Sequence, residues 1–337
     1  MQRHAQAGGG RDNLHALTRR IVRTTGASGW AERFTIWAKK KATRSRRTCF
    51  FKGRLNMKSA MKIVCLVIAF SIVANSQGVC RRFRPVAGRC DLSASPAEQA
   101  KCLLRPVKKF ANLGAPLSAL PAPLDTLLAQ PTESLLTIEQ VRSFLARKGI
   151  PQEKVGGSLS VSLSRPKYFV IHDTSDFLDG ATAFPANIDQ ATAGLNNLGR
   201  RVETICHIYV NRVGDSKTVI TFESTAPPNG TKFSACHPSQ KSAFLHIENI
   251  QPRIRDRSVG FPNDGIAPDP GFSDAQLERL ALLYLVASTR SGKWLIPAYH
   301  SPIDLGFPNQ HDDPQNFSLN KWAEILNGLI EQIRSGS

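Results

Sequence analysis

The run Leu277–Ser288, LERLALLYLVAS, constrains the fold more than any other stretch of this chain. It is built of strong helix formers, yet apolar side chains surround the helix on nearly every side. A helix with no polar face must be buried, here against a sheet. Ser273, with Gln276 three residues on, supplies a capping box that starts it. The partners that can bury it lie upstream. YFVIH (168–172) reads as a buried strand, and ICHIYVNR (205–212), KTVITF (217–222) and FLHIENI (244–250) as further strands. The tight turn Val213-Gly214-Asp215-Ser216 joins the second and third. A closing helix shows Trp322, Ile325, Leu326, Leu329 and Ile333 at helical spacing. Strands mixed with helices, some strands in hairpins, predict an α/β domain with a mixed central sheet flanked by helices. Two further elements are expected: a strand over LSVSLS (159–164) and a helix over PANIDQATAGLNNLG (185–199).

Four segments follow along the chain: 1–56, 57–76, 77–157 and 158–337. The net charge of +18 is concentrated at the front. Residues 1–56 hold 14 Lys/Arg against 2 Asp/Glu, whereas 77–337 hold 28 against 24. The body is therefore only mildly basic, which suits an anionic polymer and argues against nucleic acid as the main partner. Lys58 and Lys62 precede an apolar run from Ile63 to Val73, and Ala74-Asn75-Ser76 gives a small-x-small cleavage pattern. This is the layout of a secretory signal peptide; the run is too short for a stable membrane span. The basic leader ahead of it does not fit that layout and points to a start at Met57 or Met61. Residues 77–157 read as a Pro/Ala-rich, loosely ordered lead-in with short helices. One of these covers Ile138 to Lys148, with Thr137 and Gln140 as its capping box and Gly149 and Pro151 as its stop.

An exported chain permits disulfides. Cys206 and Cys236 flank the expected hairpin and are the favoured pair. Two of Cys80, Cys90 and Cys102 are expected to pair, with one left over.

The chemistry centres on three places. His172 ends the strand YFVIH. His300 lies in AYHSPIDLGFPNQHDDPQNF, the irregular Pro-rich stretch that also holds Asp312 and Asp313. A strand-end histidine can meet a histidine and an aspartate there, which gives a His2Asp set with an open fourth position, as a catalytic zinc needs. Asp313, just before Pro314, is preferred to Asp312. Taken alone, His172 and His300 each read more readily as structural histidines.

In order and spacing, VIHDTS, CHIYVNRVGDSKTV, SACH, LHIEN, HSPID and HDDP resemble the zinc-dependent type 2 N-acetylmuramoyl-L-alanine amidases, whose fold is shared with peptidoglycan recognition proteins. The resemblance covers about Ser158 to Ile333. It implies zinc on His172, His300 and Asp313, and Glu248 as the catalytic acid/base. His311 falls where the family carries a cation that stabilises the transition state, and Asp173 departs from the residue usual there. His207, His237 and His246 are expected to line or support the site, and Tyr209 and Arg212 are candidate substrate contacts. The implied reaction is hydrolysis of the amide between N-acetylmuramic acid and L-alanine of peptidoglycan, by a monomer in the periplasm or outside the cell. The same fold also carries binders that have lost catalysis.

Overall fold

The computed structural model describes residues 80–84, 86–109, 112–255 and 265–336. The basic leader and the signal-peptide layout lie outside these residues. No helix among the described residues is long and apolar enough to cross a membrane.

In chain order the helices are α1 (Pro96–Leu103), α2 (Ala122–Ala129), α3 (Ile138–Arg147), α4 (Lys232–Cys236), α5 (Asp274–Ser291), α6 (His300–Ile303) and α7 (Leu319–Ser335). The strands are β1 (Tyr168–Asp173), β2 (Asp176–Phe177), β3 (Ile208–Val210), β4 (Ser216–Thr218), β5 (Phe244–Asn249), β6 (Pro252–Arg255), β7 (Gly265–Ile266) and β8 (Ile296–Tyr299). The central sheet has the order β4-β3-β5-β1-β8. It is mixed: β1 runs parallel to β5 and β8, β3 parallel to β5, and β4 antiparallel to β3. Strands β2, β6 and β7 form a smaller sheet beside it.

Side chains alternate between the faces of a strand, and here the alternation divides core from chemistry. Phe169 and Ile171 of β1 lie in register with Leu245 and Ile247 of β5. This apolar face meets α5, where the Phe169 ring meets Tyr284 edge-on at 5.3 Å. Helix α5 is buried along most of its length, as its all-round apolar pattern requires. Trp294 and Trp322 close over Tyr284 on its far side. The other face of the sheet carries Tyr168, His172, His246 and Glu248. Its Tyr168 hydroxyl donates to Gln99 Oε1 of α1 at 2.7 Å, so helices flank the sheet on both sides.

Local chemistry fixes the helix starts. Thr137 with Gln140 and Ser273 with Gln276 form complete capping boxes, each with both reciprocal bonds. Among its described residues the lead-in is packed rather than loose. Ala100, Leu103, Leu124, Val141 and Leu145 are buried in the same apolar cluster as the sheet and α5.

Three further sequence expectations are corrected. The segment 159–164 is not a strand: Leu159 and Leu163 are buried but Val161, which should share their face, is 39% exposed. Its backbone instead bonds around Arg290 at the end of α5, with Leu163 N donating to Arg290 O and Arg290 Nε to Val161 O. Residues 185–199 form turns and two short 3-10 segments, not a helix. The Asn196 amide there donates to the carbonyls of Ile188 and Gln190. Such side-chain bonds compete with the helical ladder. Finally, Cys236 pairs with Cys80, Cys90 pairs with Cys102, and Cys206 is free and buried. The chain leaves the sheet after β4 and forms α4, which carries Cys236 away from Cys206.

Candidate metal centre

Parallel strands point their carboxyl ends the same way, and the site sits there. Register places His172 of β1 opposite Glu248 of β5, and Glu248 opposite Tyr209 of β3. On the other side of β1, Ile171 pairs with Tyr299, the last residue of β8. The next residue, His300, therefore emerges level with His172. Asp313 returns from the loop beyond α6, where its carbonyl accepts from Ser301 N.

His172, His300 and Asp313 are all buried, and one potential ligand atom from each lies within 4.8 Å of the others. Nδ1 of His172 is 3.5 Å and Nδ1 of His300 3.0 Å from Asp313 Oδ2. Metal bonds of about 2.0–2.2 Å in tetrahedral array put donors roughly 3.3–3.6 Å apart; the His172–Asp313 spacing falls in that range and the His300–Asp313 spacing a little below it. The other ring nitrogens are occupied. His300 Nε2 donates to Asp304 Oδ2 at 2.9 Å, and His172 Nε2 shares a hydrogen bond with His246 Nδ1 at 3.0 Å. Both Nδ1 atoms are thus turned toward Asp313. Asp313 Oδ1 and Glu248 Oε2 are buried without hydrogen-bond partners, and buried oxygens left so are costly unless something else satisfies them. The residues fit a metal ion.

The electrostatics are those of a site in which protons occupy the metal's place. Burial opposes charge on His300, but the Asp313 and Asp304 carboxylates outweigh it and raise its pKa to about 10. Burial likewise opposes ionisation of Asp313, yet the His300 charge and the bonds from His172 and His300 hold it well below the usual carboxylate range. Glu248 goes the other way. Burial first, then the Asp313 charge, push it up to about 8.

The remaining candidates separate clearly. Asp312 turns from the cluster and accepts from Gln315 Nε2 at 2.7 Å. His311 stacks on His300 at the cleft wall with 59% of its side chain exposed. Partial burial and the His300 charge push its pKa down to about 4, a push that solvent at its open edge weakens. Asp173 is not solvent-facing. It accepts from buried Arg253 at 2.6 and 2.8 Å, from Ser175, and from Gln315 N, which ties β1 and β6 to the loop that presents Asp313. Tyr209 lines the cleft. Arg212 does not: its guanidinium is buried on Asp189, Gln251 and the Gly271 carbonyl. His207 Nδ1 accepts from His246 N, and His237 stacks on Phe233. His246 packs close against Gly230, where a Cβ would come within 2.3 Å of its ring.

The cluster opens into a cleft of about 530 Å3 that Glu248, His300, His311 and Asp313 share with Tyr209, Arg201 and Lys232. Two residues, one behind His300 and one in the cleft wall, went unassigned in the sequence. Asp304 sits four residues after His300, one helical turn on, a spacing that brings side chains together. It is fully buried and also accepts from Lys232 N and Phe233 N, both at 2.9 Å. Burial raises the Asp304 pKa, but the His300 charge and these bonds outweigh it and keep it low. Lys232 follows the capping residue Thr231 and had no sequence signal of its own.

Comparison with family models, curated proteins and solved structures returns no match.

Proposed function

We propose that the chain is a zinc-dependent N-acetylmuramoyl-L-alanine amidase, with a fold of the type 2 amidase and peptidoglycan recognition kind. The observation that carries this reading is the convergence of His172, His300 and Asp313 beside buried Glu248 at the mouth of one cleft. Two imidazole nitrogens and one carboxylate are a donor set that suits zinc. Three protein ligands would hold the ion, the number that hydrolytic zinc sites use. The two disulfides and the signal-peptide layout support export, which brings the protein to peptidoglycan.

When bound, zinc supplies Lewis acidity, lowers the pKa of water and, by its charge, opposes the rise in the Glu248 pKa. His172, His300 and Asp313 would hold it, and Asp304 and His246 fix the two rings by their far nitrogens. Glu248 Oε1 lies 3.8 Å from His172 Nδ1, so its carboxylate reaches the same point. It takes one proton from the attacking water and returns it to the leaving nitrogen. Water oxygen joins the lactyl carbonyl carbon as the C–N bond breaks, giving a muramoyl carboxylate and a stem peptide with a free L-alanine amine. Tyr209 and Arg201 line the outer wall, where a stem peptide would lie. His311 can offer a ring N–H to the carbonyl oxygen.

Glu248→Gln tests the assignment. The variant is expected to bind zinc at near one equivalent while hydrolysis falls by about 100-fold or more. Full activity would show that another group moves the proton. Zinc far below one equivalent in the wild type would sink the enzymatic reading.

A further inference from the structure

Amide hydrolysis passes through a tetrahedral species whose former carbonyl oxygen carries negative charge, and a donor or cation aimed there is commonly the largest single contribution to rate. Resting on the amidase reading, we propose that Lys232 of α4 is that cation.

Among the described residues that line the cleft, the lysine and arginine side chains are Arg201 and Lys232. Arg201 is already committed. Both of its terminal nitrogens bond the carboxylate of Asp176, and its guanidinium lies over the Tyr209 ring. Lys232 is not neutralised in this way. Its Nζ donates to a neutral group, the Asn309 carbonyl, at 2.7 Å, and stands 4.0 Å from Asp304 Oδ2. That oxygen is the one that accepts from His300 Nε2. The ammonium is therefore one carboxylate removed from a metal-holding ring, on the same cleft wall. An ammonium has three N–H donors, and the Asn309 carbonyl takes one. Its side chain is only 20% exposed, so water screens it little.

The backbone beneath it is rigid. Thr231 and Ser234 form a capping box, Lys232 N and Phe233 N donate to buried Asp304, and Cys236 at the end of α4 is bonded to Cys80. A catalytic charge held from several sides keeps its aim without reorganising as the reaction proceeds. The role needs no proton transfer. Lys232 stays an ammonium throughout, lending a hydrogen bond and a charge to the oxygen, while Glu248 carries the one proton that moves.

The alternative role for Lys232 is mechanical, as a tether from α4 to the loop at Asn309. The test compares zinc-loaded wild type, Lys232→Met and Lys232→Arg on a soluble N-acetylmuramoyl-L-alanyl peptide. It records kcat, KM, zinc content and melting temperature for each. Lys232→Met is expected to lose about 100-fold or more in kcat, with KM within about threefold and zinc content unchanged. Lys232→Arg is expected to recover a substantial part of the loss. A kcat for Lys232→Met within about threefold of wild type overturns the proposal. So does a loss that follows zinc content and melting temperature downward, with no recovery in the arginine variant, which is the tether's signature. If zinc-loaded wild type itself leaves the peptide uncut, the amidase reading fails first and takes the proposal with it.

Discussion

Asp304→Asn removes one charge and no volume, so its effect can be traced bond by bond. Oδ2 of Asp304 accepts from His300 Nε2 and Lys232 N, and Oδ1 from Phe233 N, each at 2.9 Å. An asparagine offers one acceptor oxygen and one amide that only donates. With the oxygen at the Oδ2 position, the amide faces the Phe233 N–H, donor against donor. With the oxygen at Oδ1, it faces the His300 ring and Lys232 N instead. Either way a buried donor is left without a partner, which costs about 1–3 kcal/mol, and the bonds that remain lose the strength of a charged acceptor. A total of roughly 2–4 kcal/mol at about 2–4 °C per kcal/mol lowers the melting temperature of the metal-free protein by about 4–16 °C. The His300 ring also loses the partner that orients it, so zinc affinity should fall by about 10–100-fold. Calorimetric melting of the metal-free protein and competition with a chromophoric chelator read the two effects separately. A melting temperature within about 2 °C of wild type, together with unchanged zinc affinity, would refute the role given to Asp304.

Two further expectations concern parts of the fold away from the ligands. Burial lowers the His207 pKa to about 3, below its ordinary value near 6.5, so in that window the unfolded chain binds the extra proton. Stability from this ring is present above about pH 6.5 and is lost as pH falls toward 3, by up to about 1.4 kcal/mol per pH unit. His207→Asn should flatten that slope in urea unfolding at pH 7 and pH 5; parallel slopes would show that His207 is not its source. The Cys80–Cys236 bond spans 156 residues and anchors α4, which presents Lys232 and donates its first two amides to Asp304. Replacing both cysteines by serine should lower stability by about 2–5 kcal/mol and cut kcat several-fold. The Cys90/Cys102 double serine should spare kcat, and equal losses in the two would separate α4 from catalysis.

Features set by local chemistry were legible in the sequence. The capping boxes at Thr137 and Ser273, the all-apolar α5 and the stripe of α7 depend on neighbours within one or two helical turns. Strands β1 and β5 announced themselves by apolar runs that end in His172 and Glu248. What stayed hidden depends on contacts between distant segments. Cysteine pairing follows the course of the chain after β4, which no spacing records. The polar run 185–199 had helix-compatible residues, but Asn196 spends its amide on local carbonyls. Residues 159–164 alternate as a strand does, yet the nearby end of α5 supplies Arg290 and claims their backbone. Asp304 was visible as the fifth residue of HSPID, and helical spacing would have paired it with His300. Lys232 was not visible, because its place in the cleft comes from a five-residue helix held by Asp304, 72 positions away. The role of Asp173 was hidden too, because its carboxylate accepts from Arg253 and Gln315 N, 80 and 142 positions away.

The claim at the centre of this account is the identity of the bond cut. Mass spectrometry of purified peptidoglycan digested by the zinc-loaded protein tests it directly. The account predicts release of intact stem peptides with a free amino-terminal L-alanine, from glycan strands whose sugars remain linked. Cleavage within the peptide or between sugars, or no release at all by protein holding one equivalent of zinc, would contradict it.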